Sequence, residues 1–469
     1  MEPRIRTNIV AAMGGGACLF SLSAAMGEQR KVNSGSDPHW EGFRNRLLPA
    51  TMRATKQDFG LQGTNTIAGW IQRSTTPAWF ARVIPAVTLE DTLEASGKFA
   101  VTRDDGGTGV LFGWFNENSH GWRTPNSLAF RLDGNGAKYW VLAEYGTQHW
   151  LTGCVGCFEG PQYQKTPTRP FPADGTVHSW SLRYLPHAAG GQGEITFVLD
   201  GKEYACPLAP GHKADGATFN RFGVFNQQTT GDGIEVCFSE LVLQGKPLAQ
   251  DAQWEEKGNH VRFQDRVLRP LHDFGYAPPD SGHGQKGRIG GIIWRDKQPA
   301  YYADKTGRLT LDDELFASGK LAFNNAGSDS GAYLGWFDSA SKTNKATPES
   351  KAPQQNILAV LVEGPSRIGH YFRPAFRDRG GDGGSPKTGP IIRPDGNVHM
   401  WALHYQPRTA NGQGQITVTF DGQDQTFALS AKERETGAVF DRFGLFNFQS
   451  GGQYIEVSLD DLSYTVASP

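Results

Sequence analysis

A chain of 469 residues with 46 Lys plus Arg against 48 Asp plus Glu is close to neutral and carries no basic run, which argues against nucleic acid as a partner. Gly at 59 and aromatics at 11% suit short strands joined by tight turns. No stretch outside the N-terminus approaches the roughly 18 apolar residues that span a bilayer as a helix.

In chain order, residues 1–27 read as a signal peptide. Arg4 and Arg6 precede an uncharged run from Ile9 to Ala25, and Ala25-Met26-Gly27 offers small residues before the charged Glu28-Gln-Arg-Lys31. A secreted, periplasmic or cell-surface protein is therefore expected.

The remainder contains its own near-copy. Thr88-Leu-Glu-Asp-Thr-Leu-Glu-Ala-Ser-Gly-Lys98 returns as Thr310-Leu-Asp-Asp-Glu-Leu-Phe-Ala-Ser-Gly-Lys320, 222 residues on. Gly113-Trp114-Phe115 returns as Gly335-Trp336-Phe337, His178-Ser-Trp180 as His399-Met-Trp401, and Phe222-Gly-Val-Phe-Asn226 as Phe443-Gly-Leu-Phe-Asn447. Shorter leading copies are Asp37-Pro-His-Trp-Glu41 with Asp251-Ala-Gln-Trp-Glu255, and Asp58-Phe-Gly60 with Asp273-Phe-Gly275. These set a first domain at 28–246 and a second at 251–469, joined by a short linker near Gln244–Asp251.

Period-two segments fill each half. His178, Trp180, Leu182 and Tyr184 alternate with Ser179, Ser181 and Arg183, and Ile195, Phe197 and Leu199 run into the turn pair Asp200-Gly201. Further strands are read at 97–103, 109–116, 127–132, 138–145, 222–225 and 234–243. No amphipathic helical window of useful length occurs. The expected class is all-β: two tandem antiparallel β-sandwich, jelly-roll, domains.

The run Asp174-Gly-Thr-Val-His-Ser-Trp180, followed by Gly190-Gly-Gln-Gly-Glu-Ile-Thr-Phe-Val-Leu-Asp-Gly201, resembles the central strands of concanavalin A-like and laminin-G-like jelly rolls. Asp395-Gly-Asn-Val-His-Met-Trp401 and Asp421-Gly422 match likewise. The resemblance covers both domains. It implies a curved sheet whose face commonly meets carbohydrate, on a fold that hosts lectins, glycanases, lyases and adhesion modules.

Four cysteines follow the expected signal: Cys154, Cys157, Cys206 and Cys237. In an exported chain they are disulfide candidates, with Cys206 to Cys237 across the sandwich and Cys154 to Cys157 within a loop as pairings to test. A zinc site would need all four to converge and is not favoured. The paired acids Asp460-Asp461, opposite Ser239-Glu240, make calcium a candidate ion, although a solvated strand end explains them as well. His178 and His399 share the apolar face and read as structural.

Between the copied blocks the halves diverge, and function is expected there. Ligand-binding candidates are Trp114, Trp122, Arg123, Asn126, Trp140 and Trp150 in the first domain, and Trp336, Asn356 and Arg377 in the second. Aromatic rings stack on sugar faces, while Arg and Asn bond hydroxyls and carboxylates. Trp114 and Trp140 are read equally well as core. The cluster Arg373, Arg377 and Arg379 biases the second domain toward an acidic glycan. Candidate catalytic groups are Glu144, a lone carboxylate on its strand, and Tyr145, His149 and Arg131 together with His370, Tyr371 and Arg373, the residue types of a uronate lyase. No paired-acid hydrolase pattern appears. Three readings remain: a non-catalytic polysaccharide-binding protein, a lyase or hydrolase, and a structural or adhesive module.

Overall fold

The computed structural model describes residues 28–47, 54–63, 66–121, 124–134, 136–154, 170–248, 253–264, 272–279, 287–327, 329–341, 354–366 and 369–468. The expected signal peptide, Trp122, Arg123 and Cys157 lie outside the described residues.

Among the described residues four antiparallel sheets form two sandwiches, each pairing a nine-stranded sheet with an eight-stranded one. In the first sandwich the eight-stranded sheet runs Thr152–Gly153, Lys138–Gly146, Ser127–Gly134, Gly109–Phe115, Thr218–Asn226, Trp79–Thr88, Trp254–Lys257, with Phe171–Pro172 beside Lys138–Gly146. In the second it runs Gly383–Gly384, Gly369–Arg377, Ile357–Ser366, Ser330–Phe337, Val439–Asn447, Tyr301–Thr310, Glu41–Phe43, with Ile391–Ile392 beside Gly369–Arg377. Each sandwich closes over its own hydrophobic core, since the long strands carry one apolar face and a two-layer stack removes that face from water. The jelly-roll class expected from the alternation is the one observed.

The division at 244–251 needs correcting. Glu28–Val32 pairs with Leu462–Val466, Glu41–Phe43 with Tyr301–Ala303, and Arg46–Leu47 with His272–Asp273. Residues 28–47 thus complete the second sandwich. Trp254–Lys257 pairs with Trp79–Arg82, and Val261–Gln264 with Ala54–Gln57, so 253–264 complete the first. The repeated Asp-x-x-Trp-Glu segment explains this. Trp40 is buried against Tyr302, Phe443 and Tyr464, and Trp254 stacks on Phe80 at 5.3 Å. Each sandwich needs one such finishing strand, and the second takes its own from the start of the chain.

The His-x-Trp motif is structural, as read. His178 Nδ1 meets Asp200 at 2.7 Å and Asp200 also accepts the Ser179 N–H; His399 meets Asp421 at 2.6 Å and Met400 repeats the bond. Both Asp residues sit at positive φ in their Asp-Gly turns, so the histidine locks a hairpin end to the neighbouring strand. Asp460-Asp461 and Glu240 lie at β-bulges. Ser34 donates to Asp460, and Lys320 and Lys98 pair with Asp461 and Glu240 at 2.6 and 2.7 Å, so these acids have protein partners.

Cys154 is bonded to Cys206, with Cα atoms 5.4 Å apart, and Cys237 is free. Neither expected pairing forms. Cys206 is on an edge strand and Cys237 on a central one, three strands between them, whereas Cys154 crosses from the other sheet to that edge.

Candidate functional site

The outer faces of the two eight-stranded sheets, turned away from the cores, carry the differences between the domains. Registers fix the rows that cross these faces. In the second domain one row reads Phe43, Tyr301, Phe446, Tyr333, Leu361, Arg373. The next is Glu41, Ala303, Gly444, Gly335, Ala359, Ala375, and the third is Lys305, Arg442, Phe337, Ile357, Arg377. Side chains alternate across a strand, so these three rows share one face while Leu334, Trp336, Leu358 and Phe372 point into the core.

The middle row explains why Gly-Trp-Phe and Phe-Gly-x-Phe-Asn recur. A Cβ on Gly335 or Gly444 would collide with the backbone of the adjacent strand. The bare row lets large rings lie down on the sheet, and Phe337 meets Phe446 across it at 4.4 Å. The rings run on without a break: Phe43 on Tyr301 at 5.4 Å, Tyr301 on Phe337 at 5.2 Å, Tyr333 on Phe446 at 5.0 Å and on Phe448 at 5.4 Å. Arg295 then caps Phe448 at 4.5 Å.

Above the first half of this strip lies a cleft of about 140 Å³. Its floor is Tyr301, Phe337 and Phe446, its outer wall is Phe43, and Asp338, Ser339, Gln354 and Gln449 stand at its rim. Phe43 is 43% exposed. It is supplied by the N-terminal segment. Glu41 fixes that wall by accepting from Tyr301 Oη at 3.1 Å and from Arg442 at 3.0 Å. Burial and the Glu41 bond push the Tyr301 phenol up to about 12.

At the other end of the strip the chemistry turns ionic. Arg295 pairs with Asp329 at 2.5 Å and lies 3.9 Å from Glu363, which also holds Arg373. Arg373 donates to the Lys387 carbonyl at 2.7 Å and Arg377 to the Gly383 carbonyl at 2.9 Å. Tyr333 is buried among Arg377, Glu363, Arg295 and Arg373, and burial raises its phenol above the ordinary value. The arginine cluster read from the sequence changes membership: Arg295 joins it, while Arg379 leaves for a surface cleft beside Arg308 and Arg434.

The first domain keeps the frame and alters the contents. Its rows read Lys257, Trp79, Phe225, Leu111, Arg131, Leu142 and Glu255, Ala81, Gly223, Gly113, Ala129, Glu144. Leu111 replaces Tyr333 and Lys257 replaces Phe43, so the strip shrinks to Trp79, Phe115 and Phe225. Beside the strip, Gly121 N–H donates to Gln228 at 2.7 Å, and Gln228 to the Ser119 carbonyl at 3.2 Å, tying residues 119–121 to the segment that follows Thr218–Asn226. Arg131 bonds Glu144 at 2.8 Å and Arg73 bonds Asp133 at 2.7 Å, two cations against two anions.

Several expected site residues are elsewhere. Trp114 and Trp336 are core, at 1% and 0% exposure, because the positions beside the row glycines face inward. Asn126 and Asn356 are clips: each sits at positive φ and accepts a backbone N–H, from Thr218 and from Val439, at 3.0 Å. Of Glu144, Tyr145, His149 and Arg131, Arg131 and Glu144 meet. Tyr145 faces the core and bonds His212 at 2.8 Å, and His149 sits in an exposed turn on Asp215 at 2.8 Å. His370 is fully buried with Ser330 at 2.8 Å, out of reach of a surface substrate. Trp140 is half-buried on the outer face, Trp150 packs on Gly121, and Tyr371 stays on the outer face beside Arg373.

Sequence reasoning missed Arg73 and Arg295, Tyr333, Phe43, and Asp133 with Glu363. A signal existed for the arginines, which stand 222 residues apart in otherwise diverged loops ending in Pro-Ala-aromatic. Asn226 and Asn447 hold those loops, each accepting from the Ala N–H, Ala78 or Ala300, at 2.9 Å.

No family model matches the chain, and no curated protein does. Among solved structures it is similar to domains LG4-5 of the mouse laminin alpha1 chain, at 12% identity and a TM-score of 0.25, covering 89% of this chain and 91% of that one. It is also similar to peanut lectin (10% identity, TM-score 0.23, 46% of this chain and 98% of that one). The endo-1,3-beta-glucanase of Streptomyces sioyaensis gives 10% identity and a TM-score of 0.23, over 45% of this chain and 88% of that one. These are sandwiches of the concanavalin A-like and laminin-G-like kind that the His-x-Trp strand resembles. At such identities and scores the likeness carries no argument about ligand or activity.

Proposed function

We propose that this protein binds polysaccharide without cleaving it, through the outer face of the second domain's eight-stranded sheet. The observation that carries the reading is the aromatic cleft walled by Phe43, floored by Tyr301, Phe337 and Phe446 and rimmed by short polar side chains. Sugar rings present one apolar and one hydroxyl-rich aspect, and this cleft offers both complements. The binding region thus moves from the variable loops to the sheet face they border.

Catalysis is disfavoured by the states of the available groups. Glu144 is ion-paired with Arg131, His370 is sealed in the core, and Tyr333 has a raised phenol, the wrong direction for a base. The Cys154–Cys206 bond fits a protein outside the reducing cytosol, and no helix among the described residues is long and apolar enough to cross a membrane.

The test is retention on an array of immobilised polysaccharides. Phe43→Ala and Tyr301→Ala should each weaken binding by about tenfold, roughly 1.4 kcal/mol, the worth of a stacked ring. Absence of retention on every glycan, or binding indifferent to both changes, would reject the reading; release of unsaturated products would favour a lyase instead.

A further inference from the structure

We infer that the arginine end of the strip takes an oxyanion, a carboxylate or sulfate carried by the glycan, so that the second domain selects acidic polysaccharides. This rests on the glycan-binding reading above. The two domains supply the argument by comparison. In the first, the last position of the small-residue row is Glu144, whose carboxylate is bonded by Arg131 at 2.8 Å. The outer face there is charge-balanced by the chain itself. In the second, the same position is Ala375, flanked on its own strand by Arg373 and Arg377 two residues to either side, which point to the same face. The carboxylate has been removed and the cations have moved to its borders.

The balance of charge shifts accordingly. Arg295, Arg373 and Arg377 stand against Glu363 and Asp329, the latter 65% exposed at its side chain, while Asp382, whose carboxylate also feels Arg377, is ion-paired with Lys432 at 2.6 Å. Arg377 is half-buried and donates to the Gly383 carbonyl, leaving most of its five N–H donors for another acceptor. Guanidinium groups take planar and tetrahedral oxyanions alike by paired N–H donors. The cluster borders the aromatic strip through Tyr333 and Phe448. A saccharide seated on the rings would therefore bring its acidic substituent to the arginines, where Glu144 sits in the first domain.

The experiment uses the full chain and three immobilised probes: a polyuronate, a sulfated glycan and a neutral glycan of similar linkage. Two variants are compared with the parent, Arg377→Gln, which removes a cation, and Ala375→Glu, which restores the first domain's carboxylate. The expected result is binding of one or both acidic probes at least about tenfold tighter than the neutral one, weakening as salt rises, with that advantage lost in both variants while neutral binding and melting temperature persist. Which acidic probe is retained tells uronate from sulfate. Equal binding of acidic and neutral probes, unchanged by the variants, overturns the charge selection and leaves glycan binding standing. Failure to bind all three overturns both.

Discussion

Replacing Trp40 by alanine should loosen the second sandwich while leaving the first intact, although Trp40 precedes the first in sequence. The ring is 6% exposed and contacts Tyr302 at 5.5 Å, Tyr464 at 5.9 Å and Phe443 at 6.5 Å, all residues of the second core. Truncating a buried tryptophan costs about 3–5 kcal/mol, from lost transfer energy and from the cavity left behind. For a unit of this size each kcal/mol moves the midpoint by about 2–4 °C, so a fall of roughly 10 °C is expected in one transition only. Hydrogen exchange read by mass spectrometry locates the effect: protection should drop in Tyr301–Thr310 and Tyr454–Val466 and hold in Trp79–Thr88. Trp254→Ala should do the reverse, more weakly, because Trp254 is only partly buried. Loss of protection in Trp79–Thr88 with Trp40→Ala, or no loss in the second sandwich, would refute the crossed completion of the two domains.

The ion pair of the first domain gives a sharper test of its role. Arg131→Leu alone leaves Glu144 buried without its partner and should cost about 3–5 kcal/mol, whereas Arg131→Leu with Glu144→Ala, the pair the second domain carries as Leu361 and Ala375, should recover most of that in urea unfolding. If the double variant is as unstable as the single, the pair is more than a self-balancing charge. The Cys154–Cys206 bond spans 52 residues, so Cys206→Ser should lower the first sandwich's stability by about 4 kcal/mol; a non-reducing digest should join the two peptides, and recovery of Cys206 linked to Cys237 would contradict the fold. His272 is fully buried and pushed down to about 4 by burial, opposed by Asp296. It stays neutral in the folded chain while the unfolded chain takes a proton near 6.5, so its contribution is complete above that value. As pH falls from 6.5 to 4 the second sandwich should lose up to about 3 kcal/mol, and His272→Gln should flatten that slope in denaturant titrations; an unchanged slope would remove His272 as the cause.

Much of the frame was legible because period-two alternation and the Asp-Gly turns are local. The strands read at 138–145 and 194–199 are Lys138–Gly146 and Glu194–Leu199, and the structural reading of His178 and His399 agrees with their bonds to Asp200 and Asp421. Strand partners were not legible. Nothing in Asp37-Pro-His-Trp-Glu41 says which of the two similar sandwiches it completes, since Phe80 in the first and Tyr302 in the second each offer a tryptophan a ring. Facing was equally ambiguous. Trp114 and Phe115 are neighbours in sequence and lie on opposite faces, and a register error of one residue exchanges core for surface. The aromatic candidates for sugar contact were therefore drawn partly from the wrong side of the sheet.

The same period makes the outer face readable once one residue is placed. Given Trp336 in the core, Tyr333, Gly335 and Phe337 must face outward, and pairing carries that parity across Phe446, Gly444, Ala359 and Arg373 to Arg377. The glycines fixed in both copies then mark where rings can settle, and the positions that differ between copies mark what the rings lead to. Leu111 becoming Tyr333, Leu142 becoming Arg373 and Glu144 becoming Ala375 are three changes on one surface, while the inward residues beside them keep the packing of a common core. With similar packing inside both sandwiches, the outer rows are where the second departs in charge from the first, and that departure is from self-paired charges toward an excess of cations.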